Sequence, residues 1–175
     1  MDVLGMSQPL ILKKVKKGEI LLLKGDHCQY GYRVVKGCLR SYIINKTGKE
    51  HILQFAPEDW LVSDLDSIFN NKPATIFIDA IEDSEVLLLN KLVFQNIENM
   101  EKPALLEQNT RLVRNIIASN KRFISLLSSS AEERYEDFTE TYPTLVQRLP
   151  LKQIASYIGI TPEHLSFIRK KMAGK

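Results

Sequence analysis

The segment Leu151–Lys171 carries side chains whose types and spacing suit contact with a nucleic acid. Glu163, His164, Ser166, Phe167 and Arg169 fall at the start of a helix opened by Thr161-Pro162 and one to two turns further on. A carboxylate there accepts from cytosine N4, a guanidinium pairs with guanine O6 and N7 or with phosphate, and a phenyl ring touches a thymine methyl. Lys152, Lys170 and Lys171 lie near helix ends, where ammonium groups meet a phosphate backbone with little sequence preference. From Arg148 onward six basic residues face only Glu163, whereas Glu132, Glu133, Glu136, Asp137 and Glu140 oppose only Arg134 just upstream. A basic end set off by an acidic helix fits phosphate contact, although a solvated helix face with a lysine tail has the same composition.

Two short helices are needed to present those groups. Ile154, Ile158, Ile160, Leu165 and Ile168 are spaced so that both helices bury one shared face. Ala155 is small where the helices cross, and Gly159 supplies the positive φ of a sharp turn. Thr161 then offers an N-cap hydroxyl, Pro162 a first helical residue, and Glu163 an acid at the positive end of the helix dipole. A structural helical hairpin would explain the apolar spacing but not all three of these features together. The pattern reads as a helix-turn-helix.

Other chemistry finds little support. Cys28 and Cys38 form no CxxC pair, are too few to hold an iron–sulfur cluster alone, and read as reduced thiols. His27, His51 and His164 are scattered, so no metal site is expected. No nucleophile elbow, phosphate-cradling glycine loop or paired carboxylate motif is present, so no catalytic residue is assigned and an enzyme is not expected. The start, Met1 to Gln8, lacks a basic and apolar leader, and no apolar run has membrane-spanning length. With 175 residues, 44% apolar and 26% charged, the chain suits one medium or two small cored domains in the cytoplasm.

Upstream of the basic end, the chain changes character every few residues. Short runs at Glu19–Leu23, Tyr32–Val35, Leu39–Ile44, Glu50–Phe55, Thr75–Ile81 and Glu85–Leu89 are separated by turn signals such as Lys36-Gly37 and Asn45-Lys-Thr-Gly48. That spacing predicts an antiparallel sandwich or barrel. Leu61, Leu65, Ile68 and Phe69 suggest a short helix interrupting the strands, and Leu92, Val93, Phe94 and Ile97 another after them. A helix of about seven turns then starts near Pro103, marked by Leu105, Leu112, Val113, Ile116, Ile117, Phe123, Ile124 and Leu127. Its stripe is wide enough to pack on the β domain on one side and on a second copy on the other, through Leu105, Leu112, Ile116, Phe123 and Leu127. Ser130-x-x-Glu133 is a capping-box start for the next helix, which ends before Tyr142-Pro143.

Lys17-Gly-Glu19, Gly25, Val34-Val-Lys-Gly37, Gly48-Lys-Glu50, Ala80-Ile-Glu-Asp-Ser84, Ala131-Glu-Glu-Arg-Tyr135 and the 151–171 segment together resemble the Crp/Fnr family of bacterial transcription regulators, over nearly the whole chain. The run from Glu132 to Glu163 is similar to short members from Bacteroidetes-type bacteria. The resemblance implies an α+β fold. Residues 1–100 would form an antiparallel β-roll (a jelly-roll-like double-stranded β-helix) of the cyclic-nucleotide-binding type, 101–128 a dimerisation helix, and 129–175 the helix-turn-helix. It also implies double-stranded DNA, a second copy of the chain and RNA polymerase as partners, and a small-molecule effector in the roll.

Two departures from the family pattern qualify those implications. Nucleotide-binding members hold ribose with a Gly-Glu pair and phosphate with an arginine, whose fork matches two phosphate oxygens. Here the stretch reads Val62-Ser63-Asp64 and Pro73-Ala74-Thr75, so Ala74 stands at the arginine position and the Gly-Glu pair is missing. Asp64 can replace the glutamate with a register shift, and Lys72 is the only nearby cation. A buried phosphate without its cation is costly, which argues against cAMP. A pocket around Trp60, Ser63, Asp64, Lys72, Ala74 and Thr75 would take another small molecule or be filled by side chains. In the second helix the usual Ser-Arg-Ile-Arg reads Ser166-Phe167-Ile168-Arg169, so Phe167 either touches bases or packs on a neighbouring helix. The expected function is a homodimeric DNA-binding regulator; the alternative is a ligand-binding or protein-interaction module with a degenerate helix-turn-helix.

Overall fold

A computed structural model describes residues 11–95, 98 and 100–173. Ile97, Lys175 and the stretch read for a leader lie outside the described residues. The chain runs β1 (Ile11–Val15), β2 (Ile20–Leu22), β3 (Tyr30–Lys36), β4 (Leu39–Ile44), β5 (Glu50–Ala56), β6 (Leu61–Val62), α1 (Leu65–Asn70), β7 (Phe77–Ala80), β8 (Ser84–Asn90), α2 (Lys91–Gln95), α3 (Lys102–Ser128), α4 (Ala131–Thr141), α5 (Leu151–Ile158) and α6 (Pro162–Ala173). The strands form two four-stranded sheets, ordered β1-β8-β3-β6 and β2-β7-β4-β5, with antiparallel pairing. The antiparallel pairing is what the turn spacing implied, and the β-roll followed by helices is what the family resemblance implied. Six strands fall where the short runs predicted them. β1 and β6 were not foreseen, because two lysines break the apolar signal of Ile-Leu-Lys-Lys-Val and β6 has only two residues.

Two compact units divide the described residues, one holding those up to Ile43 and those between Gln54 and Asn115, the other Ile44–Leu53 and those from Ile116 onward. In the first unit the strand alternation turns Val34, Leu39, Phe55, Leu61, Ile78 and Val86 inward, each almost fully buried. β3 and β8 meet in register with Tyr32 opposite Leu88 and Val34 opposite Val86. Gly37 turns β3 into β4 at φ 91°, and a Cβ there would sit 2.3 Å from Ser84 Oγ. Only glycine fits both constraints.

The N-terminal half of α3 is fastened to this unit by polar groups. Asp59, at φ 64°, receives hydrogen bonds from Arg111 Nε and Nη2 at 2.9 and 2.7 Å, and Arg111 also bonds Glu107. Arg114 donates to the Asp59 carbonyl and lies 4.8 Å over the Trp60 ring. Asn115 and Gln54 both donate to the Leu61 carbonyl. The expectation that an apolar side of α3 packs on the roll is therefore corrected. The buried positions there are Ala104, Gln108 and Arg111, two of them polar, and Arg111 meets the carboxylates of Asp59 and Glu107.

In the second unit, Ser130 opens α4 with the predicted capping box: Ser130 N–H donates to Glu133 Oε2 at 2.7 Å and Glu133 N–H to Ser130 Oγ at 3.3 Å. Phe138, Tyr142 and Tyr157 pack as a trio with ring centroids 5.7 Å apart. The tip of the β4–β5 hairpin belongs to this unit. Ser156 Oγ accepts from Ile52 N–H at 3.3 Å and donates to Glu50 C=O at 3.0 Å, while Arg122 Nη2 donates to Ile52 C=O at 2.8 Å. Among the described residues β5 is the last strand of its sheet, so these side chains occupy backbone groups that no described strand pairs.

Candidate nucleic-acid interface

Helices α5 and α6 are built as the residue pattern required. α5 buries Ile154, Ala155, Tyr157 and Ile158, and ends at Gly159 with φ 74°, whose N–H donates to the Ala155 carbonyl. Ile160 N–H bonds the same carbonyl at 3.0 Å. Thr161 Oγ1 then accepts from His164 N–H at 3.2 Å, capping α6 before Pro162. Leu165 and Ile168 are fully buried and fix which side of α6 faces outward. Arg122 and Arg134 hold the end of α5 by donating to the Tyr157 and Ile158 carbonyls. This role of the two arginines was not legible in the sequence, because nothing local marks a guanidinium that serves another helix's C-terminus.

Glu163, His164, Phe167, Arg169, Lys170 and Lys171 are exposed on α6, Thr161 is exposed just before it, Ser166 is half-buried beside them, and Lys152 is exposed in the first turn of α5. The Glu163 carboxyl is held below its usual range by its own backbone N–H and the Thr161 hydroxyl. Phe167 is 62% exposed, so it does not pack on a neighbouring helix within the chain. Lys171 makes an ion pair with Glu132 of α4 at 2.6 Å. Arg169 and Lys170 have no partner of this kind among the described residues.

The 60–75 segment of the roll is organised by Asp64. Its Oδ1 accepts from Ser67 N–H at 3.0 Å, capping α1, and its Oδ2 accepts from Thr75 N–H at 2.8 Å and Thr75 Oγ1 at 3.2 Å. Ala74 is buried, with its N–H on the Asp26 carbonyl and its carbonyl on Gly25 N–H, both at 2.8 Å. Lys72 is exposed and paired with Asp66. Trp60 is only 8% exposed, and Ser63 lies beside the buried Cys28 thiol, 3.7 Å away. Asp64 thus spends its oxygens on its own loop, and no cation replaces the missing arginine within this segment.

On α3, Leu106, Val113 and Leu127 recur every seven residues with Asn120 between, flanked by Ile116 and Phe123 and by Ile117 and Ile124. All the apolar members are exposed, from 43% at Val113 to 73% at Leu127. Of the positions expected at a dimer interface, Ile116, Phe123 and Leu127 lie on this stripe, Leu105 is at its border and Leu112 is half-buried. Leu106, Val113, Ile117 and Ile124 extend it; the heptad starting at Leu106 was the signal that would have found them. Among the described residues no cluster of His, Cys, Asp and Glu is placed to hold a metal ion, and no helix is long and apolar enough to cross a membrane.

Residues 12–99 match the family "Cyclic nucleotide-binding domain". The regulatory protein HlyX of Actinobacillus pleuropneumoniae is 30% identical over 168 residues, covering 88% of this chain and 68% of that protein. The chain spans 60 to 68% of the length of the first three curated relatives it matches. FixK2 of Bradyrhizobium japonicum aligns with a TM-score of 0.77 at 18% identity, over 95% of this chain and 86% of its own. A transcriptional regulator described as Crp/Fnr-family from Eubacterium rectale aligns with a TM-score of 0.69 at 18% identity, over 97% and 81%. At such identities the structural likeness shows the fold alone. Family model, curated relative and fold agree with the residue pattern: the chain belongs to the Crp/Fnr family and carries its cyclic nucleotide-binding-type domain.

Proposed function

We propose that the chain is a two-fold dimeric, DNA-binding transcription regulator in the cytoplasm, not an enzyme, whose β-roll senses a small molecule other than cAMP. The observation that carries this reading is α6: a capped helix anchored by Leu165 and Ile168 with Glu163, His164, Phe167 and Arg169 exposed together. Residues 1–100 act as the sensory roll, 101–128 as the dimerisation helix and 129–175 as the DNA-binding part, with RNA polymerase as a further partner. Glu163, His164, Ser166, Phe167 and Arg169 read bases, assisted by Thr161 at the helix start, while Lys152, Lys170 and Lys171 hold phosphates. The exposed heptad of α3 supports the dimer, because an apolar stripe of this length facing water is rare in a monomer. An effector acts by binding two arrangements of the dimer unequally, which changes the spacing of the two α6 helices.

Selection of bound duplexes from a random pool tests the reading. On the selected site Arg169→Ala should cost about 1–3 kcal/mol, and on random duplex much less. Lys170→Ala should weaken both alike and lower the salt slope by about one. The exposure of Phe167, at a position where the family resemblance implies arginine, favours a second reading, an interaction module that no longer reads sequence. Equal losses for both variants on both DNAs would establish that reading instead.

A further inference from the structure

Within the second unit, α3, α4 and the end of α5 leave a half-open cleft of about 280 Å³, open solvent included. Arg122, Arg134 and Asp137 line it together with Leu126, Phe138 and Tyr157. Arg122 donates from Nε and Nη2 to the Tyr157 carbonyl at 3.1 and 2.9 Å, and from Nη2 to the Ile52 carbonyl at 2.8 Å. Arg134 donates from Nε to the Ile158 carbonyl and from Nη1 to the Ser129 carbonyl, both at 2.8 Å. Neither guanidinium has a carboxylate within ion-pair distance among the described residues, and Nη1 of Arg122 and Nη2 of Arg134 have no protein acceptor there.

This is an unusual distribution of charge. Arg122 and Arg134 are half-buried, and partly desolvated guanidiniums set close together are ordinarily matched by an acid, since losing water without a counter-charge is costly. Burial presses the Arg122 guanidinium toward its neutral form, and only the oxygens of Tyr157 and Tyr142 oppose it. The C-terminal dipole of α5 supplies about half a negative charge to two whole positive ones. Asp137 does not fill the gap, since it is engaged by Lys121 at 3.2 Å and by the Ser125 hydroxyl. The cleft therefore holds surplus positive charge and spare N–H donors beside two aromatic rings, with the Arg122 guanidinium 4.4 Å over the Tyr157 ring.

We propose that this cleft is a small-molecule site, distinct from the β-roll, for an organic monocarboxylate with a flat apolar body. The carboxylate would take the spare N–H groups of Arg122 and Arg134 while the body lies against Phe138, Tyr157 and Leu126. Asp137 selects for a single charge, because a phosphate dianion would meet its carboxylate without a polar cage to compensate. Such a ligand touches α3, α4 and the last turn of α5, so its occupancy favours one packing of these helices.

Benzoate is a suitable probe, titrated into the full chain and followed through the arginine Nε–H resonances. Saturable binding at or below about 1 mM is expected, with benzamide and inorganic phosphate at least about tenfold weaker. Arg134→Gln should weaken benzoate by about tenfold, and Lys24→Gln, which does not line the cleft, should not. Leu126→Trp fills the cleft while keeping both guanidiniums, and should abolish binding with the helical circular dichroism unchanged. No saturation by about 10 mM, benzamide binding as well as benzoate, or benzoate binding indifferent to both Arg134→Gln and Leu126→Trp would each overturn the proposal.

Discussion

Asp59 gathers three arginines, Arg33, Arg111 and Arg114, around one carboxylate. Burial raises its affinity for a proton, but the Arg111 hydrogen bonds and the charges of Arg111, Arg114 and Arg33 outweigh that and hold it below the usual carboxylate range. A depressed acid stabilises the fold above its unfolded pKa of about 3.9, and that contribution is lost as pH falls through the lower folded value. Asparagine tolerates the left-handed backbone there, so Asp59→Asn isolates the charge. Because the side chain is half exposed, solvent screening limits the expected loss at pH 7 to about 1 kcal/mol, shrinking toward zero near pH 3. Urea unfolding at both pH values, read by the fluorescence of Trp60, the sole tryptophan, checks this. The residues of this cluster were not legible beforehand, since Asp59 and Arg111 lie 52 positions apart and only the folded chain brings them together. The outward residues of α6 were legible because a helix only twelve residues long fixes them by local spacing alone. One pairing there was not: Lys171 is held by Glu132, so Glu132→Gln should release it and raise affinity for all duplexes about two- to threefold, measured by fluorescence anisotropy.

Helix α3 shows where hydrophobic periodicity informs and where it misleads. Its length and start were readable from the apolar recurrence, but the side facing the roll was not. Arg111, Asn115, Arg122 and Ser125 look like a solvent face in sequence, yet each donates to a carboxylate or carbonyl of its own unit. The apolar stripe is instead the side left open. Ile116→Asp and Ile124→Asp should each shift sedimentation from dimer to monomer at tens of micromolar, with helical content retained. Dimers persisting in both variants would place the two-fold contact elsewhere. At the next element, Ser130→Ala should cost about 1 kcal/mol, since the capping hydroxyl satisfies one of the donors that α4 leaves open.

Across the molecule, the order of roll, long helix and helix-turn-helix was evident because each part carries its own period. The effector was not, because a domain family fixes a fold while the ligand depends on a few side chains at one loop. With Asp64 committed to Ser67 and Thr75, and Lys72 to Asp66, calorimetric titration with cAMP should give nothing tighter than roughly millimolar. Micromolar affinity would mean that a cation outside the 60–75 segment serves the phosphate. The outer side of β5 carries a different implication. An unpaired strand edge is a template for adding a foreign strand, and proteins guard such edges. Here the guard is a helix-turn-helix side chain, Ser156, with Arg122 alongside. Any displacement of α5 from the hairpin leaves the Ile52 N–H and the Glu50 and Ile52 carbonyls bare. Freedom of α5 is thereby tied to the risk of self-association, and fibril or precipitate formation should rise with variants such as Ser156→Ala that loosen the cover.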